Sequence, residues 1–316
     1  MEESNRRVGQ GGEVTNRNVL IVSHTRRSDA LAAANQVCNK LAEAGITAIF
    51  PESELDEHHN YAKAQGLNEA GLAGVKVLGK ECAIADLELV MVLGGDGTIL
   101  KAAELVRESA TPLLGINLGH VGFLAESERD GLEDAVNRVV AKDYVIKERL
   151  TLDVGVYVEG KEVFRTWALN EVTIEKSSTE KMLEVVLEID GKPLTSFGCD
   201  GVILGTPTGS TAYAFSAGGP VVWPEVPALV LLPIAAHALF SRPMVVSPKS
   251  EIIVDIESRE ALLSSDSLRK FKIQLGDRVL ITRDSSVIKL SHIKPTLFTD
   301  RLVAKFKLPV EGWRGE

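Results

Sequence analysis

Residues 90–104 read VMVLGGDGTILKAAE, and Asp96 stands there between Gly95 and Gly97. An apolar run stops at Gly94, and Thr98 opens an apolar stretch that carries Lys101. Glycines at the end of a buried strand let the backbone approach a ligand closely, and the N–H groups opening the next helix favour phosphate. Gly94, Gly95 and Thr98 are therefore candidate phosphate contacts. A carboxylate would repel that phosphate. Asp96 makes sense in the loop if it faces something else, such as a hydroxyl that must lose a proton. The competing reading is a tight strand-to-helix turn that Asp96 merely caps.

Three other Asp-Gly pairs calibrate this one. Asp190–Gly191 lies between alternating segments and reads as a hairpin turn. Asp130–Gly131 precedes a helical pattern, where Asp caps or complements the dipole. Asp200–Gly201 fits a hairpin and a ligand contact equally well. A second polar region, TPTGSTAYAFSAGGP (206–220), presents the hydroxyls of Thr206, Thr208, Ser210 and Thr211 ahead of a short helix. It is either a polar loop with a capped helix or a seat for phosphate or ribose.

Two nucleotide signatures are excluded. Residues 74–80, GVKVLGK, have Walker A spacing, but Glu81 replaces the magnesium-binding Ser/Thr and VKVL reads as a strand. No GxGxxG occurs, so the usual mark of a hydride-transferring Rossmann enzyme is missing. The six histidines show neither helical i, i+4 pairing nor zinc spacing, so no metal ligand is assigned. Cys38, Cys82 and Cys199 are odd in number and far apart, as expected of reduced thiols in a cytoplasmic protein.

The elements that must position these residues fall into two halves. The chain has 316 residues, more than one core usually serves. Residues 1–17 are polar, with no apolar secretory segment, and read as a disordered tail. From 18 to 147, strands at 18–24, 46–50, 87–93 and 112–118 alternate with helices at 28–45, 98–109 and 130–143. This is the pattern of a parallel α/β sheet with helices on both faces. Ser28 or Asp29 can cap the first helix and Gly45 can end it, whereas 51–86 is poorly patterned. From 148 to 292 the period switches to two, as in RLTLDVGVYVEG with its turn at Glu159–Gly160, so this half is antiparallel β and reads as a sandwich. Residues 293–316 show no strand alternation. A net charge of −9 without a long basic run argues against nucleic acid or an anionic membrane as partner. The apolar run PALVLLPIAAHALF is too short and too interrupted to span a bilayer.

Taken in order, GGDGT (94–98), NLGHVGFL (117–124), ALNEVTI (168–174) and CDGVILGTPTGSTAYAFSAGGP (199–220) resemble the NAD kinase family. DRLVAKFKLPVEGWRG (300–315) is similar to its actinobacterial branch. GGDGT alone is shared with diacylglycerol and sphingosine kinases; the Asn-Glu motif with the long TPTGSTAY block is the specific part. The resemblance implies a Rossmann-like domain, a β-sandwich domain, an active site between them, and a C-terminal segment packed back on the first domain.

Residue by residue, it implies that Asp96 is the general base, with Gly97 beside it against the dinucleotide. Asn170 and Glu171 would grip the adenylate half of NAD. Asp200 and the run Thr211, Ala212, Tyr213, Ala214, Phe215 and Ser216 would make further NAD contacts. Lys101 and Lys181 fall where the family often has a basic residue, and His237 and Arg242 match a motif of architectural character. The resemblance departs at Ser265–Asp266–Ser267, where a Cys-Asp-Gly turn is expected. Without glycine a positive-φ turn is strained, which weakens any assignment of a ligand contact to that loop.

The implied reaction transfers a phosphoryl group from ATP or polyphosphate to the ribose 2′-hydroxyl of NAD, giving NADP. Magnesium or another divalent cation would ride on the donor phosphates. NAD and ATP are the expected partners, in a cytoplasmic homo-oligomer (dimer or tetramer). Two rivals share parts of the pattern. A lipid kinase would carry GGDGT but needs a basic amphipathic surface that this acidic chain does not show. A non-catalytic NAD-binding module would bind its polyanion more easily without Asp96.

Overall fold

The structure, a computed structural model, describes residues 17–66, 72–118, 122–125, 127–128, 131–178, 181–239, 241–294 and 297–310. The tail before residue 17, Asp130, His120 and the closing GWRG lie outside the described residues. The chain divides into two units. One runs to Glu148 and resumes at Ile288; the other is Arg149–Val287.

In the first unit, β1 (Asn18–Ser23), β2 (Thr47–Phe50), β3 (Lys76–Val77), β4 (Leu89–Leu93), β5 (Leu113–Asn117) and β6 (Ser127–Glu128) pair in parallel. The order is β3-β2-β1-β4-β5. The helices are α1 (Ser28–Glu43), α2 (Glu52–Gln65), α3 (Asp96–Val106) and α4 (Leu132–Ala141). β1, β4 and β5 are buried almost throughout, which is why they read as unbroken apolar runs. Alternate residues leave opposite faces of a strand. Val19, Ile21, Met91, Leu93, Leu114 and Ile116 therefore share one core with Ala30, Val37 and Leu41 of α1 and Val136 and Val139 of α4. α3 packs against β1, β4 and β5, with Ile99 filling the space that a Cβ on Gly115 would need.

Two local expectations change. α2 lies in the stretch that showed no pattern, because only His58 and Ala62 of its fourteen residues are buried, too narrow a stripe to register as periodicity. Pro51 precedes it, and Gly66, left-handed, follows it. α1 begins at Ser28 with Arg27 at the N-cap and no side-chain cap; Asp29 accepts the Ala30 N–H at 2.9 Å from inside the first turn. Gly45, at φ +70°, follows that helix as expected. The Walker-like stretch forms β3 and a turn in which Lys80 pairs with Glu52 at 2.6 Å, not a nucleotide loop.

The second unit is antiparallel. Its strands are β7 (Val145–Val158), β8 (Lys161–Ala168), β9 (Glu171–Lys176), β10 (Leu183–Ile189), β11 (Lys192–Cys199) and β12 (Gly201–Gly205). They continue with β13 (Leu229–Ile234), β14 (Met244–Val246), β15 (Ile252–Ile256), β16 (Glu260–Ser265), β17 (Arg269–Gln274) and β18 (Arg278–His292). One layer has the order β11-β10-β15-β18, with the β7–β8 hairpin paired to β18; the other is β14-β13-β12-β9-β16-β17. Val154, Val185, Leu187 and Val254 from the first layer meet Val172, Val202, Leu204, Leu229 and Leu263 from the second in one core. That is a sandwich. The hairpins turn at Glu159–Gly160 and Asp190–Gly191, all four residues at positive φ, the geometry that matches strand twist.

The last strand ends in the first unit, where Leu290 pairs in parallel with Leu113. The segment that resisted sequence pattern contains α6 (Phe298–Phe306), whose Phe298 and Phe306 rings pack at 6.0 and 5.7 Å from Phe123. Among the described residues no helix is long and apolar enough to cross a membrane.

Candidate active site

In the first unit, β1 and β4 are neighbours whose chains continue toward opposite edges of the sheet. Ligands collect outside the carboxyl ends of strands at such a switch point. Gly94, Gly95 and Asp96 leave β4 at that point, with Ser23 of β1 in register with Leu93. Gly94 has no room for a Cβ because the Thr98 side chain occupies that space, whereas at Gly95 and Gly97 no other described residue beyond the adjoining chain comes within 4 Å of where a Cβ would stand. The open glycines are the ones a ligand can approach.

Asp96 does not cap its own helix. The N-cap of α3 is Gly95, which receives no side-chain cap bond. The Asp96 carboxylate is turned to residues 122–125 instead: Oδ2 accepts the Phe123 N–H at 3.1 Å and Oδ1 the Leu124 N–H at 3.2 Å. A Cβ on Gly122 would collide with that carboxylate. Asp96 remains half-buried, so lone pairs stay open to a ligand. Arg301 of α6 donates from Nη1 to the carbonyls of Phe123 and Ala125 at 2.8 and 2.9 Å.

Lys101, exposed on α3, sends its charge toward Glu54 of α2. Burial holds the Glu54 carboxyl above its ordinary range, opposed by the Ser23 N–H at 2.9 Å. Ser23 Oγ also meets His58 Nε2 at 2.8 Å, and burial pushes that imidazole down to about 4, so His58 is neutral at pH 7. This cluster was not foreseen, because α2 itself was not.

In the second unit, Leu169, Asn170 and Glu171 carry the chain from β8 into β9. The Asp266 carboxylate accepts the Leu169 N–H at 2.8 Å, the Asn170 N–H at 2.7 Å and the Glu171 N–H at 3.3 Å. Arg269 locks Asp266 from the other side at 3.1 Å and also donates to Thr166 Oγ1 and to the Trp167 carbonyl, its guanidinium lying 4.6 Å from the Trp167 ring centre. The doubtful Ser-Asp-Ser turn is thus a positive-φ turn without glycine, at φ +50° for Asp266 and +57° for Ser267. Its side chain grips the backbone of the Asn-Glu motif. Neither Asp266 nor Arg269 was singled out as a site residue; the signal was the Asp kept inside an otherwise altered turn.

The other face of the motif meets TPTGSTAY. Gly209 packs so tightly on the Asn170 backbone that no Cβ fits, and Thr206 bonds Leu169 O at 2.6 Å through its hydroxyl. The hydroxyls expected to face a ligand are in part spent inside the fold. Thr206, Ser210 and Thr211 donate to the carbonyls of Leu169, Pro207 and Thr208. α5 (Tyr213–Ser216) is a single turn, too short for a useful dipole. Ala214 is buried beneath it, whereas Tyr213, Phe215 and Ser216 are exposed and Thr211 and Ala212 half-buried.

The Tyr213 N–H bonds the Glu171 carboxylate. Glu171 Oε2 is buried and has no hydrogen-bond partner among the described residues. Burial, with the Asp266 charge adding, pushes Glu171 up to about 8. A buried polar atom left like this costs free energy until a partner arrives, and a ribose hydroxyl can serve whether the carboxyl is protonated or not, because it both donates and accepts. Asp200 stands where β11 of one layer hands over to β12 of the other, not in a hairpin, and its carboxylate pairs with Lys176 at 2.6 Å. Lys176 was not anticipated. Lys181 is exposed near it, its carbonyl accepting Lys176 Nζ at 3.4 Å. His237 is held through its backbone N–H on Gly198 O at 2.8 Å, and Arg242 is exposed. No three His, Cys, Asp or Glu side chains converge to hold a metal ion among the described residues.

Residues 19–144 match the family model described as the ATP-NAD kinase N-terminal domain, and residues 169–293 that described as the ATP-NAD kinase C-terminal domain. The chain is 54% identical over 302 residues to an NAD kinase of Leifsonia xyli, covering 95% of this chain and 97% of that one. It is 50% identical over 322 residues to one of Thermobifida fusca, covering 99% and 96%. In fold it is similar to yeast NADH kinase complexed with NADH, at a TM-score of 0.83 and 22% identity over 96% of this chain and 91% of that chain. It is also similar to an NAD kinase from Archaeoglobus fulgidus in complex with ATP, at 0.67 and 24% over 92% and 98%.

Proposed function

We propose, because this chain belongs to the NAD kinase family, that its two units divide one phosphoryl transfer between them. The chain is a phosphotransferase with an alcohol acceptor, an NAD kinase. In this reading the first unit supplies the chemistry. Asp96 orients the 2′-hydroxyl of the adenosine ribose and takes its proton. The ribose oxygen bonds the γ-phosphorus while the bond from that phosphorus to the β–γ bridging oxygen breaks, releasing ADP. Such a transition state is loose and needs positioning more than covalent help. The Gly95 backbone is offered to phosphate oxygens; the Gly94 and Thr98 N–H groups, expected to do the same, are spent on the carbonyls of Ile116 at 3.0 Å and Gly95 at 2.9 Å. Gly97 lies against the dinucleotide, and Lys101 adds positive charge to the same loop.

The second unit holds the adenylate half of NAD. Asn170 and Glu171 do so with their backbone clamped by Asp266, and the unpartnered Glu171 Oε2 is ready for a ribose hydroxyl. Asp200, Lys181 and residues 211–216 complete the NAD contacts. Magnesium or another divalent cation enters on the donor phosphates as part of the substrate. Polyphosphate is an alternative donor of the same chemistry. The buried free thiols Cys38, Cys82 and Cys199 suit a cytoplasmic protein, and a homo-oligomer is the expected assembly.

The observation that carries the mechanism is the Asp96 carboxylate, half-exposed at a switch point and aligned by two N–H groups from outside its own helix. The test is NADP formation from NAD with ATP and magnesium, run beside diacylglycerol and sphingosine as acceptors. NAD turnover with neither lipid phosphorylated is expected. Measurable NAD binding without NADP formation would overturn the reading. Crossing NAD and NADH with ATP and polyphosphate then sets the donor and acceptor range.

A further inference from the structure

The carboxylate proposed as base is held by one short loop, and that loop is held from behind. The Phe123 carbonyl and the Leu124 N–H belong to the same peptide unit. That unit is planar and no described peptide bond is cis, so the two groups point in opposite directions. On one side the Leu124 N–H meets Asp96 Oδ1; on the other the Phe123 carbonyl accepts from Arg301 Nη1. The same guanidinium nitrogen holds the Ala125 carbonyl, two peptides further on. Arg301 is itself half-buried; that burial lowers its pKa while the Asp96 charge raises it, and a guanidinium stays charged regardless. A cation on the carbonyl also polarises the peptide and makes its N–H a better donor. Phe298 and Phe306 fix the helix that carries Arg301 against the Phe123 ring.

We infer that Arg301 is a positioning residue for catalysis: it orients the Phe123–Leu124 peptide, which in turn aims the Asp96 carboxylate. This rests on the reading of Asp96 as the base. The C-terminal helix then does more than cover the first unit, because it sets the geometry of the reacting group from a distance of one peptide plane.

The test uses the full chain and four variants: Arg301→Met, Arg301→Lys, Asp96→Asn and the double Asp96→Asn/Arg301→Met. A loosened base costs turnover steeply, so Arg301→Met is expected to cut kcat by about 10- to 100-fold with KM for NAD within about threefold. Arg301→Lys keeps a cation on the same carbonyls and is expected to recover most of that loss, whereas a role in packing alone would not follow the charge. In the Asp96→Asn background, Arg301→Met is expected to remove no further activity, since no carboxylate remains to be aimed.

Thermal melts and NAD titrations of each variant separate turnover from folding. An equal loss from Arg301→Met in both backgrounds overturns the inference. Should Arg301→Met melt early, Arg301→Lys decides: near-normal kcat supports the inference, and a stably folded Arg301→Lys that loses kcat by about the 10- to 100-fold expected of Arg301→Met overturns it. Near-normal turnover in Asp96→Asn removes the base itself, and the inference with it. An inactive Asp96→Asn beside an unimpaired Arg301→Met removes only the inference.

Discussion

Asp96 and Asp266 are two carboxylates gripped in the same way and left in opposite environments. Each accepts N–H groups from a neighbouring stretch of backbone, two for Asp96 and three for Asp266. Asp266 has 1% of its side chain exposed and a guanidinium against it; Asp96 is half-buried at the mouth of a glycine loop. A buried charge whose lone pairs are taken up by the fold has nothing left to offer a ligand. A charge aligned by two donors and otherwise open keeps lone pairs for one. Identical chemistry thus yields a fastener in one unit and a reagent in the other, and solvent access is what separates them.

Exchanging each carboxylate for its amide gives the widest separation. Asp96→Asn is expected to lower kcat by about two to four decades, the reach of a positioned base, with NAD affinity changed by only a few-fold and a melting temperature lowered less than in Asp266→Asn, because the half-exposed amide can turn toward water. Asp266→Asn should reverse that profile. Its amide nitrogen would point a donor at the N–H groups of 169–171 and leave Arg269 without its counter-charge. A loss of about 2–4 kcal/mol is expected in urea melts, with KM for NAD raised well before kcat falls. If Asp266→Asn instead kept its stability and lost turnover, the two carboxylates would share a role and the comparison would collapse.

The sequence displayed one member of this pair and hid the other, for a physical reason. Asp96 announces itself because open glycines at a strand end are unusual and local. The parallel sheet and the sandwich were readable from their periods, down to the positive-φ turns at Asp190–Gly191 and Glu159–Gly160. Asp266 works across about a hundred residues of chain, and no local pattern reports which backbone a carboxylate will meet; its turn looked like a lapse from a motif. Arg301 was quoted only as part of a similar C-terminal stretch, since its partners are carbonyls, which every residue has. α2 escaped because two buried residues make no stripe. Conversely, the hydroxyls of Thr206 and Ser210 looked like ligand donors and proved to be internal ties, a distinction only the backbone path can make.

A pH series sharpens the buried side of the comparison. Glu171 is raised from 4.5 to about 8 and Asp266 from 3.8 to about 6, both chiefly by burial, with the three N–H groups opposing the rise at Asp266. Between its unfolded and folded values such a carboxyl holds a proton in the folded state that the unfolded chain has released. Stability is therefore greatest below the unfolded value and declines as pH rises through the folded one. Above pH 6 the Asp266 contribution has already been lost, so a further decline from pH 6.5 to 8 reports Glu171. The ligand-free protein is expected to lose up to about 1.4 kcal/mol per pH unit there, and Glu171→Gln to flatten the slope. An unaltered slope in that variant would place the titration elsewhere.

The smallest effect tests whether the fastener is strained by its own turn. Ser267 sits at φ +57° next to Asp266 at +50°, two consecutive left-handed residues of which neither is glycine. That conformation costs an L residue about 1–2 kcal/mol. Glycine removes the cost but gains freedom in the unfolded chain, which takes back about 0.4–1 kcal/mol. Ser267→Gly should therefore stabilise the protein by about 0.5–1 kcal/mol, read as a raised urea midpoint at unchanged slope, while Asp266 keeps its three N–H groups and KM for NAD stays put. The outcome decides how the turn is tolerated. If the variant is less stable than the parent, the Ser267 side chain contributes something that outweighs the strain, and Asp266 is not the sole anchor of the loop. If stability rises and KM holds, the grip of Asp266 on residues 169–171 is what keeps a strained turn in place.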